Sequence, residues 1–478
     1  MLAAARIGIA RGEWAGMTPR ELTLWMKAYR EKLFTDLYTN IVPDRVPVYD
    51  GFSYEFYAQA GGGSLLQNEY NMTVESLKAQ IDEVMKIALG DYVAFSTRNP
   101  YSIFFKKPLT ENVGKTGMQQ HPEVEVMKAS DYDEFIKDPY GFYAKHLIFA
   151  GNLAYDKNDP VKFAMALLRN VYQAQDYQRI AAAASAYMRE EYDFFPNPPA
   201  GTSGYQMVPF DVLADRNRGF SEITKDIKRI PDKVIAAMDA LMPYCISRAA
   251  GSKPHPLGAN STMTHMGAFL RTKEFEKFYW KYFYELVQIS AERGQHQVLF
   301  CEHDWTRFVD YMQDFPMGTR LFMEYGDPQY FKDKLGKTCV LGGFYPLALL
   351  KTGTKEQCLD EAKKLLDIMA PGGNYYFRTD KSIMNPSDIN VDNYTAVVNF
   401  VKDNYRYDNA GDKVTDIDPE TTIARGLGKQ YPEFKSEYWM TYDDYAADYP
   451  APDESVEGVL RSTFRKYQDM AMRNFLMG

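Results

Sequence analysis

The chain has 478 residues, of which 45% are hydrophobic, so it is long enough to bury a large core. Its formal net charge of −9 and pI of about 5.4 exclude the basic surface that nucleic acid requires. No run approaches the roughly 18 apolar residues of a membrane helix, and residues 1–10 are too short and interrupted for a signal peptide. We therefore expect a cytoplasmic protein that binds neither nucleic acid nor a membrane.

The four cysteines favour reduced thiols, because they lie far apart and form no CxxC pair of the kind found in a zinc ribbon or a disulfide framework.

The first predicted element is an amphipathic helix over residues 18–38, which begins with the capping-box pattern Thr18-Pro-Arg-Glu. The prolines at positions 43 and 47 exclude a helix in the next segment and favour a first strand over 46–49. A second helix is predicted over 73–89 and a short strand over 92–95. Residues 99–200 are less regular, and we interpret them as an insertion with helical segments near 131–147 and 160–191.

From residue 207 onward, strands and helices alternate. Strands are predicted near 256–264, 297–301, 321–325, 338–341 and 375–378, and the helices between and after them over 231–248, 272–293, 304–313, 328–335, 354–369 and 390–403. This order predicts an α/β fold, a (β/α)8 TIM barrel over residues 41–405 with an insertion at about 99–200. A helical segment at 1–40 precedes the barrel, and a helical C-terminal extension at 406–478, with a last helix at about 453–475, follows it.

The sharpest candidate site is the run Glu302-His303-Asp304, which directly follows the predicted strand Val298-Leu-Phe-Cys. In a parallel barrel the carboxyl ends of the strands carry the catalytic groups. Carboxylate oxygens and imidazole nitrogens also suit a divalent ion such as zinc. The alternative is that Asp304 caps the next helix and the other two side chains are merely solvated.

Other titratable residues near predicted strand ends extend this candidate site. Glu324 and Asp380 are candidate metal ligands, His265 is a candidate ligand or substrate-binding residue, and Asp211 is a candidate acid. For each of these residues, a loop cap or a satisfied polar side chain is the alternative reading.

The strand, glycine turn and helix in Val340-Leu-Gly-Gly-Phe-Tyr-Pro, followed by Ala370-Pro-Gly-Gly-Asn, resemble the C-terminal region of the uroporphyrinogen decarboxylase superfamily. The resemblance covers residues 40–95 and 205–405. True decarboxylases of the superfamily carry arginines just after the first barrel strand, whereas this chain has none between Tyr49 and Gly63. Aromatic residues stand there instead, which favours a smaller, flatter and less charged ligand and the corrinoid-dependent methyltransferase branch, whose members include O-demethylases.

Zinc-dependent methyltransferases of the superfamily carry His-x-Cys at the end of the strand that corresponds to residues 297–301, and a further Cys after the later Gly-rich strand. Those three places hold Phe300, Glu302 and Gly373 in this chain. The thiolate ligands are therefore missing. Either the metal has been lost, or oxygen and nitrogen ligands hold it; the candidates for the second case are Glu302, His303, Glu324 and Asp380.

The resemblance implies a methyltransferase that moves a methyl group from a small O-methyl compound, such as a methoxy-aromatic, to the cobalt of a separate corrinoid-binding protein. Zinc is the expected cofactor, Glu302, His303 and Asp211 are the expected catalytic residues, and the expected substrate-binding residues are Tyr49, Asp50, Phe52, Tyr54, His265 and Tyr345. Two alternatives stay open: a decarboxylase or lyase of a small cyclic acid, and a non-catalytic barrel of a corrinoid pathway. Relatives in the superfamily are often homodimers, and the sequence leaves that state open for this chain.

Overall fold

The computed structural model describes residues 16–62, 72–97, 112–113, 119–120, 125–151 and 155–476. Residues 1–15 of the predicted N-terminal segment, and several stretches of the predicted insertion between 98 and 154, lie outside this set.

A six-stranded parallel sheet forms the centre of the fold, in the order β10-β9-β8-β7-β6-β5. Within the described residues the strands are β1 (Tyr49–Asp50), β2 (Tyr92–Val93), β3 (Asn112–Val113), β4 (Gln119–Gln120), β5 (Ser203–Met207), β6 (Ala259–Thr264), β7 (Gln297–Asp304), β8 (Arg320–Tyr325), β9 (Val340–Gly343) and β10 (Tyr375–Tyr376).

Two further parallel strands lie beside this sheet. β1 pairs with β2 in parallel, and a parallel bridge between Val48 and Phe377 connects the start of β1 to the end of β10. β3 and β4 form a separate antiparallel pair. No ladder between β2 and β5 exists among the residues described, so the structure shows a mixed α/β fold around a parallel sheet. The predicted parallel α/β class is confirmed, and the closure of an eight-stranded barrel is not.

Helices connect the parallel strands, as the sequence pattern predicts. The first helix begins after Thr18 with the predicted capping box, in which Thr18 and Glu21 bond to each other's backbone nitrogen. The longer helices span Pro19–Tyr38, Tyr54–Ala60, Val74–Met85, Pro160–Glu191, Phe220–Arg229, Pro231–Ala249, Lys281–Glu292, Pro328–Leu335, Lys355–Met369, Val391–Asn404, Tyr442–Asp448 and Glu454–Leu476. None of the helices in the described ranges is long and apolar enough to cross a bilayer.

The two faces of the sheet differ in burial. Along β6, Asn260, Thr262 and Thr264 are buried, whereas the alternate residues Ser261 and Met263 are only half-buried. β7 repeats the pattern. Helices such as Pro231–Ala249 and Lys281–Glu292 pack against the buried face. The opposite face of these strands, called the inner face below, therefore borders a hollow and is partly exposed along β6 and β7, whereas Phe322 on β8 and Tyr376 on β10 are buried on the same face.

Candidate functional site

A row of apolar side chains crosses the inner face near the carboxyl ends of the strands. Met263, Phe300, Phe322, Gly342 and Tyr376 occupy register-matched positions on β6, β7, β8, β9 and β10. The rings of Phe300 and Phe322 stack with their centroids 4.6 Å apart and their planes 15° apart. Because the two rings lie face to face, the row presents ring edges to the hollow, and it is called the aromatic wall below.

Gly342 makes room for the ring of Tyr376 in this row. A Cβ atom at position 342 would lie 2.2 Å from Cζ of Tyr376, which is closer than non-bonded atoms approach. Gly342, the first of the glycine pair that the sequence places in this strand, therefore serves ring packing on the inner face.

A second, polar row lies one step further along the same strands. His265, Glu302, Glu324 and Arg378 each follow a member of the apolar row by two residues. Because side chains alternate between faces with a period of two, these four residues point to the inner face. The sheet thus places one imidazole, two carboxylates and one guanidinium above an aromatic wall.

His265 lies between two carboxylates. Its Nδ1 is 2.8 Å from Oδ2 of Asp215, and its Nε2 is 3.5 Å from Oε1 of Glu302, with each of the three side chains 28–32% exposed. Burial alone would lower the pKa of His265, but the hydrogen bond with Asp215 and the charge of Glu302 outweigh it and raise the pKa to about 11. His265 is therefore an imidazolium at neutral pH.

Asp215 reaches His265 from an irregular helical turn after β5. Residues Leu213–Arg218 form a π-helical segment that continues the short helix Pro209–Val212. Such π turns are rare, insert an extra residue into the helix and often occur at functional sites. The turn ends where Arg218 makes a buried ion pair with Asp226, at 2.6 Å.

Asp211, a predicted catalytic residue, lies behind His265 and away from the hollow. It is 1% exposed, and its carboxylate accepts hydrogen bonds from the backbone N–H of Met266 at 2.9 Å and from the hydroxyl of Tyr279 at 2.7 Å. Burial, and next the charge of Asp215, raise the pKa of Asp211 to about 7. Its contact with the residue after His265 fixes the end of β6, so Asp211 is a positioning residue in this geometry.

Glu324 and His303 meet through the backbone. His303 has a φ of +64°, a conformation that non-glycine residues rarely adopt, and its N–H donates to Oε2 of Glu324 at 2.6 Å. This turn directs the imidazole of His303 against the ring of Phe269, with the ring centroids 4.5 Å apart. The other carboxylate oxygen of Glu324 forms a 2.8 Å ion pair with Lys381.

Asp380 and Tyr345 both serve local structure. Oδ1 of Asp380 accepts from the N–H of Leu347 at 2.9 Å and caps the helix Leu347–Thr352. The hydroxyl of Tyr345 donates to the carbonyl of Cys358 at 3.0 Å and is buried under the helices.

Of the predicted substrate-binding residues after the first strand, Tyr49 lies closest to the polar row, with its ring 4.9 Å from Cζ of Arg378. Asp50 is buried, where it accepts from the N–H of Gly90 at 2.6 Å and from the hydroxyl of Tyr394; burial, the largest effect, raises its pKa to about 6. Phe52 is buried against Phe56 and Tyr394, and half-buried Tyr54 begins the helix Tyr54–Ala60.

The predicted zinc ligands do not come together. Within the described ranges, no group of three or more His, Cys, Asp and Glu side chains is arranged to hold a metal ion. Glu302 faces His265, Glu324 pairs with Lys381, Asp380 caps a helix and His303 packs on Phe269. This arrangement does not fit the predicted zinc site, and no chemical step below depends on a metal in it.

Sequence reasoning passed over two residues of the site, Asp215 and Arg378. Asp215 gives no periodic signal, because a π turn shifts it relative to an α-helix. Arg378 does carry a periodic signal, because it follows Tyr376 by two residues at the end of a predicted strand. Its Cζ lies 3.6 Å from the centroid of Phe322, and its Nη2 donates to Oγ of Ser382 at 3.1 Å.

Comparisons with known proteins find structural similarity but no match to a family model or a curated protein. A solved structure of a methyltransferase from Methanosarcina mazei is similar over 78% of this chain and 98% of that chain, with 14% identity and a TM-score of 0.49. A similarity this distant carries no assignment of fold or activity.

Proposed function

We propose that the protein removes a methyl group from a small O-methyl aromatic compound, with protonated His265 as the acid that assists the departing oxygen. The observation that carries this proposal is the position of His265. Its imidazolium is held by Asp215 and Glu302 on the inner face, directly beyond the aromatic wall of Phe300 and Phe322.

The aromatic wall accounts for the class of substrate. The faces of Phe322 are covered by Phe300 and by the guanidinium of Arg378, so a flat ring can pack edge-to-face against this pair, with Met263 at one end of the row and Tyr376 at the other. Aromatic pairs of this kind contribute about 0.5–1.5 kcal/mol beyond the burial of their area. A ligand ring packed on the apolar row has its substituents beside the polar row, which lies two residues further along the strands.

The imidazolium accounts for the chemistry. When an acceptor takes the methyl group as a cation equivalent, the electron pair of the carbon–oxygen bond stays on oxygen and produces a phenolate. A phenol has an ordinary pKa of about 10, like the side chain of tyrosine. The pKa of His265, about 11, lies close to that value, so its proton can pass to the oxygen with little free-energy cost as the bond breaks.

The contacts of His265 also determine which proton it can donate. Nδ1 is held by Asp215 at 2.8 Å, whereas the 3.5 Å separation of Nε2 from Glu302 is too long for a strong hydrogen bond. The Nε2 proton is therefore the one available to a substrate oxygen. Asp215 fixes the orientation of the ring, as a carboxylate does for a catalytic histidine.

The acceptor and the complete fold are further parts of the proposal. From the resemblance to the uroporphyrinogen decarboxylase superfamily, we propose the cobalt of a corrinoid carried by a separate protein as the methyl acceptor.

The parallel bridge between Val48 and Phe377 supports an eight-stranded barrel in the order β2-β1-β10-β9-β8-β7-β6-β5. A zinc cofactor, a homodimer and a cytoplasmic location stay predictions from the sequence.

The test is an assay for phenol release from a panel of methoxybenzenes, with reduced free cobalamin as the acceptor. The proposal expects turnover by the wild type and a loss of about 10²- to 10⁴-fold in His265→Gln. His146→Gln is the matched control, because that histidine is exposed, pairs with Glu134 and contacts the ring of Phe142, outside the candidate site. Wild-type rates in His265→Gln would contradict the role of His265. Release of carbon dioxide from panel members that carry a carboxyl group, in place of a phenol, would favour the decarboxylase alternative.

A further inference from the structure

Arg378 is a cation of the inner face without a counter-charge. It is half-buried, and no carboxylate of the described part of the chain lies within 4.0 Å of its guanidinium. Its Nε–H is buried and has no hydrogen-bond acceptor. Arginines in folded proteins usually satisfy these groups with carboxylates, carbonyls or water.

The surroundings hold the guanidinium in place without neutralising it. Cζ lies 3.6 Å from the ring centroid of Phe322 and 4.9 Å from that of Tyr49, and Nη2 donates to Ser382. Aromatic faces attract a cation but leave its N–H groups at the edge available for an acceptor. The nearby cation Lys381 differs, because Glu324 already pairs with it at 2.8 Å.

The backbone makes space for this arrangement at Gly51. A Cβ atom at that position would lie 3.0 Å from Nη2 of Arg378 and 3.1 Å from its Nε. Any side chain there would press on the guanidinium. The position of Arg378 therefore depends on the backbone that follows β1 as well as on β10, the strand that Arg378 itself follows.

We propose that Arg378 binds the carboxylate of an aromatic acid, so that the substrate is a methoxy-substituted aromatic carboxylate and not a neutral ether. Nε is buried beside Gly51 and Nη2 donates to Ser382, so among the described residues Nη1 is the group left without a partner, and a charged N–H donor of this kind matches a carboxylate oxygen. Arg378 follows β10 and His265 follows β6, four strands apart on the same face, with Phe300 and Phe322 on strands between them. An aromatic ring on that wall has its carboxylate toward Arg378 and its methoxy oxygen toward His265.

This inference extends the proposed function to the carboxylate end of the substrate. The placement of the methoxy end at His265 rests on the proposed function. The test measures binding alone, without an acceptor or turnover. Calorimetric titrations compare 4-methoxybenzoate with its neutral counterpart 4-methoxybenzamide. Wild type is expected to bind the benzoate about tenfold more tightly or better, which is what one good charge-assisted contact provides.

Two variants at position 378 separate charge from structure. Arg378→Met is expected to lose the preference for the benzoate and to keep its affinity for the benzamide. Arg378→Lys keeps a point charge without the planar N–H edge, so it is expected to retain part of the preference. If Arg378→Met fails to fold, Gly51→Ala takes its place, because the added Cβ displaces the guanidinium and is expected to reduce the same preference.

Equal affinity of the wild type for the two compounds, binding of neither, or an unchanged preference in Arg378→Met would each overturn the carboxylate site. His265→Gln is expected to keep the preference, because it changes the acid and not the anion site. A preference that depends on Arg378, together with no phenol release by the wild type, would reject the proposed function and leave the carboxylate site standing.

Discussion

Nδ1 of His265 and Oδ2 of Asp215 are 2.8 Å apart, although the two residues come from different strand–helix units. His265 follows β6, and Asp215 lies in the helical turn after β5. Adjacent parallel strands bring these two ends together at one edge of the sheet. The pair keeps an imidazolium charged in a half-buried position, and the acid chemistry proposed for the site depends on it.

Asp215→Asn should move the pH dependence of activity to lower pH. The reaction requires protonated His265, whose pKa of about 11 depends on the Asp215 carboxylate. The wild-type rate should therefore stay level from about pH 6 to 9, whereas the variant should lose activity with rising pH inside that range. Glu302→Gln should cause a smaller change, since its contact with His265 is longer at 3.5 Å. The measurement is the pH–rate profile of phenol release, and superimposable profiles of the wild type and Asp215→Asn would count against this coupling.

Asp211→Asn should stabilise the protein at alkaline pH. The folded-state pKa of Asp211 is about 7 and lies above the value of about 3.9 in an unfolded chain. A group with a raised folded pKa stabilises most below its unfolded pKa, and this stability is lost as the pH rises through the folded pKa. The asparagine carries no charge; its Oδ1 can accept from the N–H of Met266, and its Nδ2 can donate to the hydroxyl oxygen of Tyr279. Urea unfolding should show similar stabilities near pH 4 and a gain on the order of 1–3 kcal/mol for the variant near pH 8. A gain that does not change with pH would contradict the titration of Asp211.

Some of the fold could be predicted from the sequence because its signals are local. The capping box at Thr18 correctly marks the start of the first helix. The strand before Glu302 was predicted over 297–301 and extends to Asp304. Hydrophobic periodicity and capping act over a few residues, so one sequence is enough to recognise them. The sequence also indicated Glu302 correctly as a residue at the carboxyl end of a strand.

The contacts of the site could not be predicted in the same way. The sequence groups Glu302 with its neighbour His303, but a φ of +64° at His303 directs its imidazole against Phe269. The observed partner of Glu302 is His265, 37 residues earlier in the chain. Such pairings depend on sheet register and on backbone outliers, which side-chain patterns do not specify.

Gly342→Ala should destabilise the fold through overpacking on the inner face. The added Cβ would lie 2.2 Å from Cζ of Tyr376, so the ring or the strand must move. We expect a loss of about 1–3 kcal/mol in the free energy of unfolding, and a larger loss of ligand affinity if the apolar row binds the ring. The control is Gly458→Ala, in the exposed helix Glu454–Leu476, where no atom lies within 4 Å of the added carbon. That variant should be neutral or stabilised by about 0.5–1 kcal/mol. Equal effects of the two substitutions would contradict the packing described for Tyr376.

Asp91→Asn should break a buried ion pair that fixes the first strand. Nη1 and Nη2 of Arg45 donate to the two oxygens of Asp91 at 2.7 and 2.5 Å, and both side chains are fully buried. Burial alone would raise the pKa of Asp91, but the charges of Arg45 and Lys402 outweigh burial and lower the pKa to about 2. Loss of one partner should cost about 3–5 kcal/mol, because the guanidinium of Arg45 stays buried without its counter-charge.

The exposed pair of Arg461 with Asp443 provides the control for this prediction, and Asp443→Asn should leave the midpoint of urea unfolding unchanged. A small effect of Asp91→Asn, similar to that of the control, would show that the buried pair does not stabilise the first strand.

The protonation state of His265 decides whether the site holds an acid, and ¹⁵N NMR of histidine-labelled protein measures it, with His265→Gln to assign the signal. The structure predicts that both ring nitrogens stay protonated at pH 8 and that the signal does not titrate until the pH approaches about 11. In Asp215→Asn the titration should move to lower pH. A His265 that titrates near its ordinary pKa of about 6.5 in the wild type would remove the acid from the site, and the proposed demethylation mechanism would fail with it.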